Sequence, residues 1–178
     1  MSADQEPIDV FFRNPLEVPE SSGTFGVLYL LRRDINVCFD KKIATWPATM
    51  AILAGIDLLG RFHEVEDTSS VGKRFRGFVK KYFDISRDGA ETIYQLRNAL
   101  MHSFGLYSKG CRFSLINTET DSLIQRSLDG KYVRINIRAL KKEFEAAIER
   151  YQADVRANSE LQKKFEKMYS DYGAINIS

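Results

Sequence analysis

Residues 44–63, ATWPATMAILAGIDLLGRFH, constrain the fold more than any other stretch of the chain. Thr45 is a suitable N-cap, and Pro47 falls in the first turn, where the missing N–H of proline costs nothing. The helix predicted over about 46–63 is apolar nearly all round, which is typical of a helix with neighbours on several sides. Small residues would let another helix approach it closely: Ala48, Ala51, Ala54 and Gly55. The sequence therefore predicts a helical bundle with this segment at its centre.

The flanking sequence repeats its apolar residues with a period near 3.6, which predicts further amphipathic helices. The first covers 24–40, another lies in VGKRFRGFVKKYF at 71–83, and a third runs from about Asp88 to Phe104. Residues 138–155 form a long one, and a short last helix follows from Ser159. Five or six helices in 178 residues make a mainly α protein.

The periodicity changes after Gly105. Three short runs with partial alternation follow, CRFSLIN, DSLIQRS and KYVRINI, and Asp129-Gly130 separates the last two. An Asp-Gly pair between alternating runs is the strongest short hairpin signal. A small β-hairpin or meander is therefore expected as an insert near 111–137.

The positions of the prolines predict how the chain divides into an N-terminal lead-in and a domain. Residues 1–22 carry three of the four prolines, which predicts an extended N-terminal lead-in, partly ordered through Phe11 and Phe12. Residues 23–178 are then expected to form a single helical domain that includes the β insert.

Composition excludes several classes of protein. The net charge of +2 is too small to identify a nucleic-acid binder by charge alone. Two distant cysteines, Cys38 and Cys111, indicate neither a disulfide framework nor a metal site.

The N-terminus lacks the pattern of a secretory signal, and the longest apolar stretch is short and broken by Asp57. We expect a cytoplasmic protein with no membrane partner. Without a Gly-rich phosphate loop or a metalloprotease motif, no cofactor or metal is expected.

The segment YQLRNALMHSF, residues 94–104, carries the residue types of metal-free RNA cleavage. Arg97 is a permanent cation that matches phosphate, and His102 titrates near neutral pH and can transfer protons. Asn98 lies four residues before His102, on the same helical face, where its amide could orient the imidazole. The alternative is structural: Arg97 pairs with an acid such as Glu91, and His102 caps the end of its helix near Gly105.

Two further features have simpler interpretations. In KRFRGFVKKYF, cations alternate with aromatic residues as on nucleic-acid surfaces, but helical periodicity predicts aromatics facing the core and cations facing water. His63, near a helix C-terminus without other ligands close in sequence, is expected to be structural or at the surface.

The segment YQLRNALMHSF resembles the signature helix of the HEPN superfamily, in which a histidine follows an arginine and a polar residue after four to six positions. An apolar helical hairpin and the stretch GKRFRGFV precede it in the order typical of that family, so the resemblance covers roughly residues 24–155. It implies an up-and-down helical bundle that dimerises. Many HEPN proteins are metal-independent endoribonucleases with a site shared between two protomers.

The resemblance assigns roles to individual residues. Arg97 would stabilise the scissile phosphate, His102 would be the acid or base, and Asn98 would be the polar supporting residue. Ser103 and Lys109, which lie close to the motif in sequence, are further candidates for supporting catalysis or binding RNA. The expected partners are RNA, a second copy of the chain, and an antitoxin or another defence-system protein. Phe104 stands where some HEPN toxins carry a tyrosine that a partner enzyme modifies, so that kind of partner is not expected. The alternative is a catalytically inactive HEPN-like binding or scaffold protein.

Overall fold

The computed structural model describes residues 6–17, 23–40, 44–64, 69–103, 105–120 and 122–177. Within these ranges the chain is mainly α, as predicted. Its helices are α1 (Pro7–Phe11), α2 (Val27–Asp40), α3 (Thr45–His63), α4 (Val71–Tyr82), α5 (Arg87–Ser103), α6 (Ile137–Ala157) and α7 (Ser159–Tyr172). Its strands are β1 (Gly23–Gly26), β2 (Tyr107–Ser108), β3 (Cys111–Ile116), β4 (Ile124–Arg126), β5 (Tyr132–Asn136) and β6 (Ala174–Ile177).

Helix α3 is the centre of the bundle, as its all-round apolar sequence predicts. It packs against α2, α4, α5, α6 and α7, and Ile52, Ile56 and Leu59 on it are fully buried. Gly55 permits the closest approach: a Cβ added there would lie 2.5 Å from the Phe144 ring of α6. The small side chains of α3 therefore let its neighbours pack against its backbone.

Phe11 and Phe12 in the N-terminal segment are part of the core, where partial order was expected, but the residues before them form a helix and not an extended lead-in. Pro7 occupies the start of α1, where proline suits the first helical turn. Phe11 is fully buried and stacks on Phe62 of α3 with ring centroids 4.6 Å apart. Its edge meets Phe165 of α7 at 5.3 Å. Residues 1–5 and 18–22 of the expected lead-in lie outside the described residues.

A two-stranded ribbon, absent from the sequence prediction, joins the residues just before α2 to the C-terminal end of the described chain. Strand β1 pairs antiparallel with β6, with Thr24 opposite Asn176. The sequence assigned residues 24–26 to a helix and gave no strand after α7. Strands this short have too few residues to show alternation, so only the pairing itself reveals them.

The insert is a four-stranded sheet in the order β2-β3-β5-β4. The β4–β5 hairpin around Asp129-Gly130 is confirmed, with Gly130 at φ +69°. The meander prediction is wrong because β3 pairs in parallel with β5, so β5 lies between β3 and β4. Asn136 fixes this crossover, since its Nδ2 donates to the backbone oxygens of Thr118 (3.1 Å) and Thr120 (2.6 Å).

The sheet covers the side of α5 that faces away from α3. Phe113 of β3 and Val133 of β5 are buried and belong to the same apolar core as the helices. Across the described ranges, the helices are too short or too polar for any of them to cross a bilayer.

Candidate functional site

Helix α5 positions the residues that the motif singled out. Ile93, Leu96 and Leu100 are fully buried and fix the rotation of the helix about its axis. Arg97 lies at the edge of this stripe with its side chain directed toward α3, and His102 is exposed in the last turn. A spacing of five residues separates the two Cα positions by about 140° around the axis, so neighbouring side chains are not guaranteed.

The arginine nevertheless contacts the histidine. Nη1 of Arg97 lies 2.8 Å from Nε2 of His102. A guanidinium has only donors, so Nε2 accepts this hydrogen bond with its lone pair and the proton of the neutral ring resides on Nδ1. The length of the arginine side chain thus overcomes the offset along the helix.

A residue of α3 that the sequence analysis did not assign to the site holds the arginine in place. Oδ2 of Asp57 accepts a hydrogen bond from Nε of Arg97 at 2.9 Å and lies 2.8 Å from Nη2 in an ion pair. The side chains are 21% and 12% exposed, so the pair is largely buried. The signal in the sequence was one carboxylate inside an otherwise apolar helix, a position at which a buried acid needs a cation.

The structural alternative was that Arg97 pairs with an acid such as Glu91. Arg97 does pair with an acid, but with a different one. Arg97 binds Asp57, whereas Glu91 lies 3.7 Å from Arg76. His102 is exposed at the end of α5, beside the arginine. Asp57, Arg97 and His102 therefore form one connected row from the bundle interior to the surface.

Asn98 contacts the arginine instead of the histidine. Its Oδ1 accepts a long hydrogen bond of 3.4 Å from Nη1 of Arg97. In the part of the chain that the structure describes, no hydrogen bond joins Asn98 to His102. The expected orientation of the imidazole by this amide is replaced by orientation through Arg97.

Burial raises the pKa of Asp57 above its ordinary value of 3.8. The charges of Arg97, Arg74 and His102 favour the carboxylate and limit that rise. The second oxygen, Oδ1, is buried without a hydrogen-bond partner in the described ranges, which adds to the cost of ionising the group. Ionised Asp57 is thus held at an energetic cost, a feature more typical of functional sites than of stabilising ion pairs.

This cost predicts how pH affects an Asp57→Asn variant. The folded protein binds the Asp57 proton more tightly than the unfolded chain, so wild-type stability falls as pH rises from below 3.8 through the raised pKa. The neutral amide of the variant has no such dependence. We expect the free energy of unfolding of wild type, minus that of the variant, to decrease between about pH 3 and pH 7. Urea unfolding at several pH values measures this difference, and an increase with pH would mean that the Arg97 ion pair outweighs burial.

The other assigned residues lie apart from this row. Ser103 ends α5, but its side chain lies outside the described residues, as does Phe104. Lys109 is in the turn after β2, with its Nζ 3.8 Å from Oε1 of Glu91. His63 packs edge-on against the Tyr82 ring at 5.4 Å, and burial lowers its pKa.

The described residues contain no group of three or more histidine, cysteine or acidic side chains arranged to hold a metal ion. Cys38 and Cys111 are both free thiols. The surface row places an imidazole, which can transfer a proton, beside a guanidinium that Asp57 holds in place. No protein-family model, curated protein or solved structure matches the chain, so the resemblance to the HEPN superfamily depends on the motif of α5 and the helices around it.

Proposed function

We propose that the protein is a metal-independent endoribonuclease of HEPN type that acts as a homodimer in a defence or toxin–antitoxin setting. The observation that supports this most directly is the 2.8 Å contact between Nη1 of Arg97 and Nε2 of the exposed His102. It brings a phosphate-binding group and a proton-transfer group to one point of the surface.

The reaction needs a base, an acid and a positive charge. Nε2 of His102 takes the proton of a ribose 2′-hydroxyl while the 2′-oxygen bonds to phosphorus. The bond from phosphorus to the 5′-oxygen then breaks. His102 of the second copy, which enters the reaction as the imidazolium, gives its Nε2 proton to the departing 5′-oxygen and becomes neutral, and Arg97 stabilises the charge on the phosphate. The products are a 2′,3′-cyclic phosphate and a 5′-hydroxyl. One chain supplies one such histidine, which is why the proposal includes a dimer.

The hydrogen bond from Arg97 to His102 gives substrate a role in activation. The lone pair of Nε2 is occupied while it accepts from Nη1. A phosphate oxygen is a stronger, charge-assisted acceptor for that N–H than a neutral imidazole. A phosphate oxygen that accepts from Nη1 therefore replaces the imidazole as acceptor and frees the lone pair of Nε2, while Asp57 keeps the guanidinium in position.

A second candidate is a HEPN-like binding or scaffold protein without turnover, whose partner is an antitoxin or another defence-system protein. The ion pair between Arg97 and Asp57 favours it, because the guanidinium already donates a hydrogen bond from Nε to a largely buried carboxylate that also lies 2.8 Å from Nη2. A cation held in this way contributes less to phosphate binding than a free one.

RNA cleavage in EDTA separates the two candidates. We expect wild-type protein to cut single-stranded RNA without added metal and to leave cyclic-phosphate ends, with a rate that rises with the dimer fraction. An Arg97→Ala/His102→Ala double variant, purified in the same way, controls for contaminating nucleases. Equal cleavage by both proteins, or none by wild type at concentrations where it is dimeric, supports the binding protein.

A further inference from the structure

Two adjoining cavities lie between α5, α4 and the sheet, away from the Asp57–Arg97–His102 row. The larger is a groove of about 690 Å³ lined by Arg76, Lys80, Arg87, Asp88, Glu91 and Lys109. The smaller is a pocket of about 170 Å³ on the sheet side of α5. Both are lined by Asp88, Glu91 and Lys109, so the pocket adjoins the groove.

The groove has an excess of positive charge, with four cations against two carboxylates. Its carboxylates already have partners: Asp88 accepts from Arg126 at 2.9 Å, and Glu91 accepts from Nε2 of Gln95 at 2.5 Å. Lys80 and Arg87 have no ion pair or hydrogen bond to any residue that the structure describes. Two unpaired cations in a concave surface attract an anion, and the fork of Arg87 suits a phosphate.

The pocket combines apolar walls with a polar edge. Cys111, Phe113 and Val133 of the sheet form the apolar side. On the α5 side, Oε1 of Gln95 accepts from Ser108 Oγ at 2.8 Å, and Nε2 donates to Glu91. These bonds leave the amide one more N–H and one more lone pair for a ligand. A flat ring with donors and acceptors at its edge matches such a lining.

The volumes of the pocket and the groove limit the size of the ligand. At about 30 Å³ per water molecule, the pocket has room for roughly six waters, which suits one planar ring system and no larger group. The groove beside it lies within the range of about 300–1,000 Å³ that is usual for small-molecule sites. A nucleotide is a molecule that can place a ring in the pocket and a phosphate in the groove.

We propose that this cleft binds a nucleotide, with its base in the pocket beside Gln95 and its phosphate on Arg87 and Lys80. The site does not depend on RNA cleavage by the chain. The nucleotide is either free or part of an RNA strand. His102 lies seven residues after Gln95 on the same helical face, about 10 Å along the axis.

Binding measurements on the His102→Ala protein test the site without interference from cleavage. The probes are the four nucleoside monophosphates, a single-stranded RNA octamer and inorganic phosphate. Arg87→Glu is expected to weaken nucleotide and RNA binding at least ten-fold and to reduce the salt dependence. Gln95→Leu is expected to weaken nucleotide binding roughly 3–10-fold with no effect on phosphate binding. Lys163→Glu, which changes an exposed cation of α7 in the same way, is the matched control.

The binding results show whether the ligand is a free nucleotide or an RNA strand, or else overturn the proposal. Saturable binding of monophosphates identifies a site for a free nucleotide, and binding of the octamer alone identifies a site on an RNA path. Phosphate binding as tight as that of nucleotides, unchanged by Gln95→Leu, would reduce the cleft to an anion groove and overturn the proposal. Absence of binding, or equal losses in the Lys163→Glu control, overturns it as well. Neither result bears on RNA cleavage by wild type, which is measured separately.

Discussion

His102→Ala is expected to lower the rate of RNA cleavage by about 10²–10⁴-fold, the usual contribution of a general acid or base. The same substitution should leave the free energy of unfolding within about 0.5 kcal/mol of wild type, because His102 is exposed at the end of α5. Its contact in the described ranges is the hydrogen bond to Arg97, and the guanidinium keeps its bonds to Asp57 without it. Cleavage in EDTA and urea unfolding measure the two effects on one protein preparation.

The second histidine of the chain provides the matched control. His63 packs against the rings of Tyr82 and Phe78 at the end of α3, so His63→Ala removes packing and costs about 1–2 kcal/mol. Cleavage per folded molecule should not change, because His63 lies outside the Asp57–Arg97–His102 row. The reverse pattern, with activity lost in His63→Ala and kept in His102→Ala, would refute the assignment of His102.

The sequence was informative where structure is local. The apolar period of 3.6 predicted α2, α4, α5, α6 and α7, the all-round apolar pattern placed α3 at the centre, and Asp129-Gly130 marked the β4–β5 turn. Each of these signals lies within some 20 consecutive residues. The elements that were missed depend on partners far along the chain: α1 on Phe62 and Phe165, and β1 on β6.

The residues of the candidate site also divide into those that are close in sequence, which the motif revealed, and one that is distant in sequence, which it did not. Arg97 and His102 are close in sequence, so their motif was visible, although helical geometry alone did not predict their contact. Asp57 precedes Arg97 by forty residues and reaches it only because α3 and α5 pack together. The cleft beside α5 depends on β3 pairing with β5 in parallel, which no local pattern encodes.

Phe11→Ala is expected to have the largest effect on stability, a loss of about 3–5 kcal/mol in the free energy of unfolding. The Phe11 ring is fully buried and contacts Phe12, Phe62, Phe165 and Tyr169, so alanine leaves a cavity lined by aromatic rings. Native domains are stable by only about 5–15 kcal/mol, so the loss should be evident in urea unfolding.

Leu16→Ala, five residues further along the same segment, is the matched control, because this side chain is 78% exposed and should change stability by less than about 0.5 kcal/mol. The comparison tests whether α1 belongs to the domain. An extended lead-in predicts small effects at both positions, whereas a packed α1 predicts a large effect at Phe11 alone. If the two variants unfold at the same urea concentration, residues 7–12 do not pack on α3 and α7 in solution. A large difference means that the domain begins at α1, and that truncation at residue 22 removes part of its core.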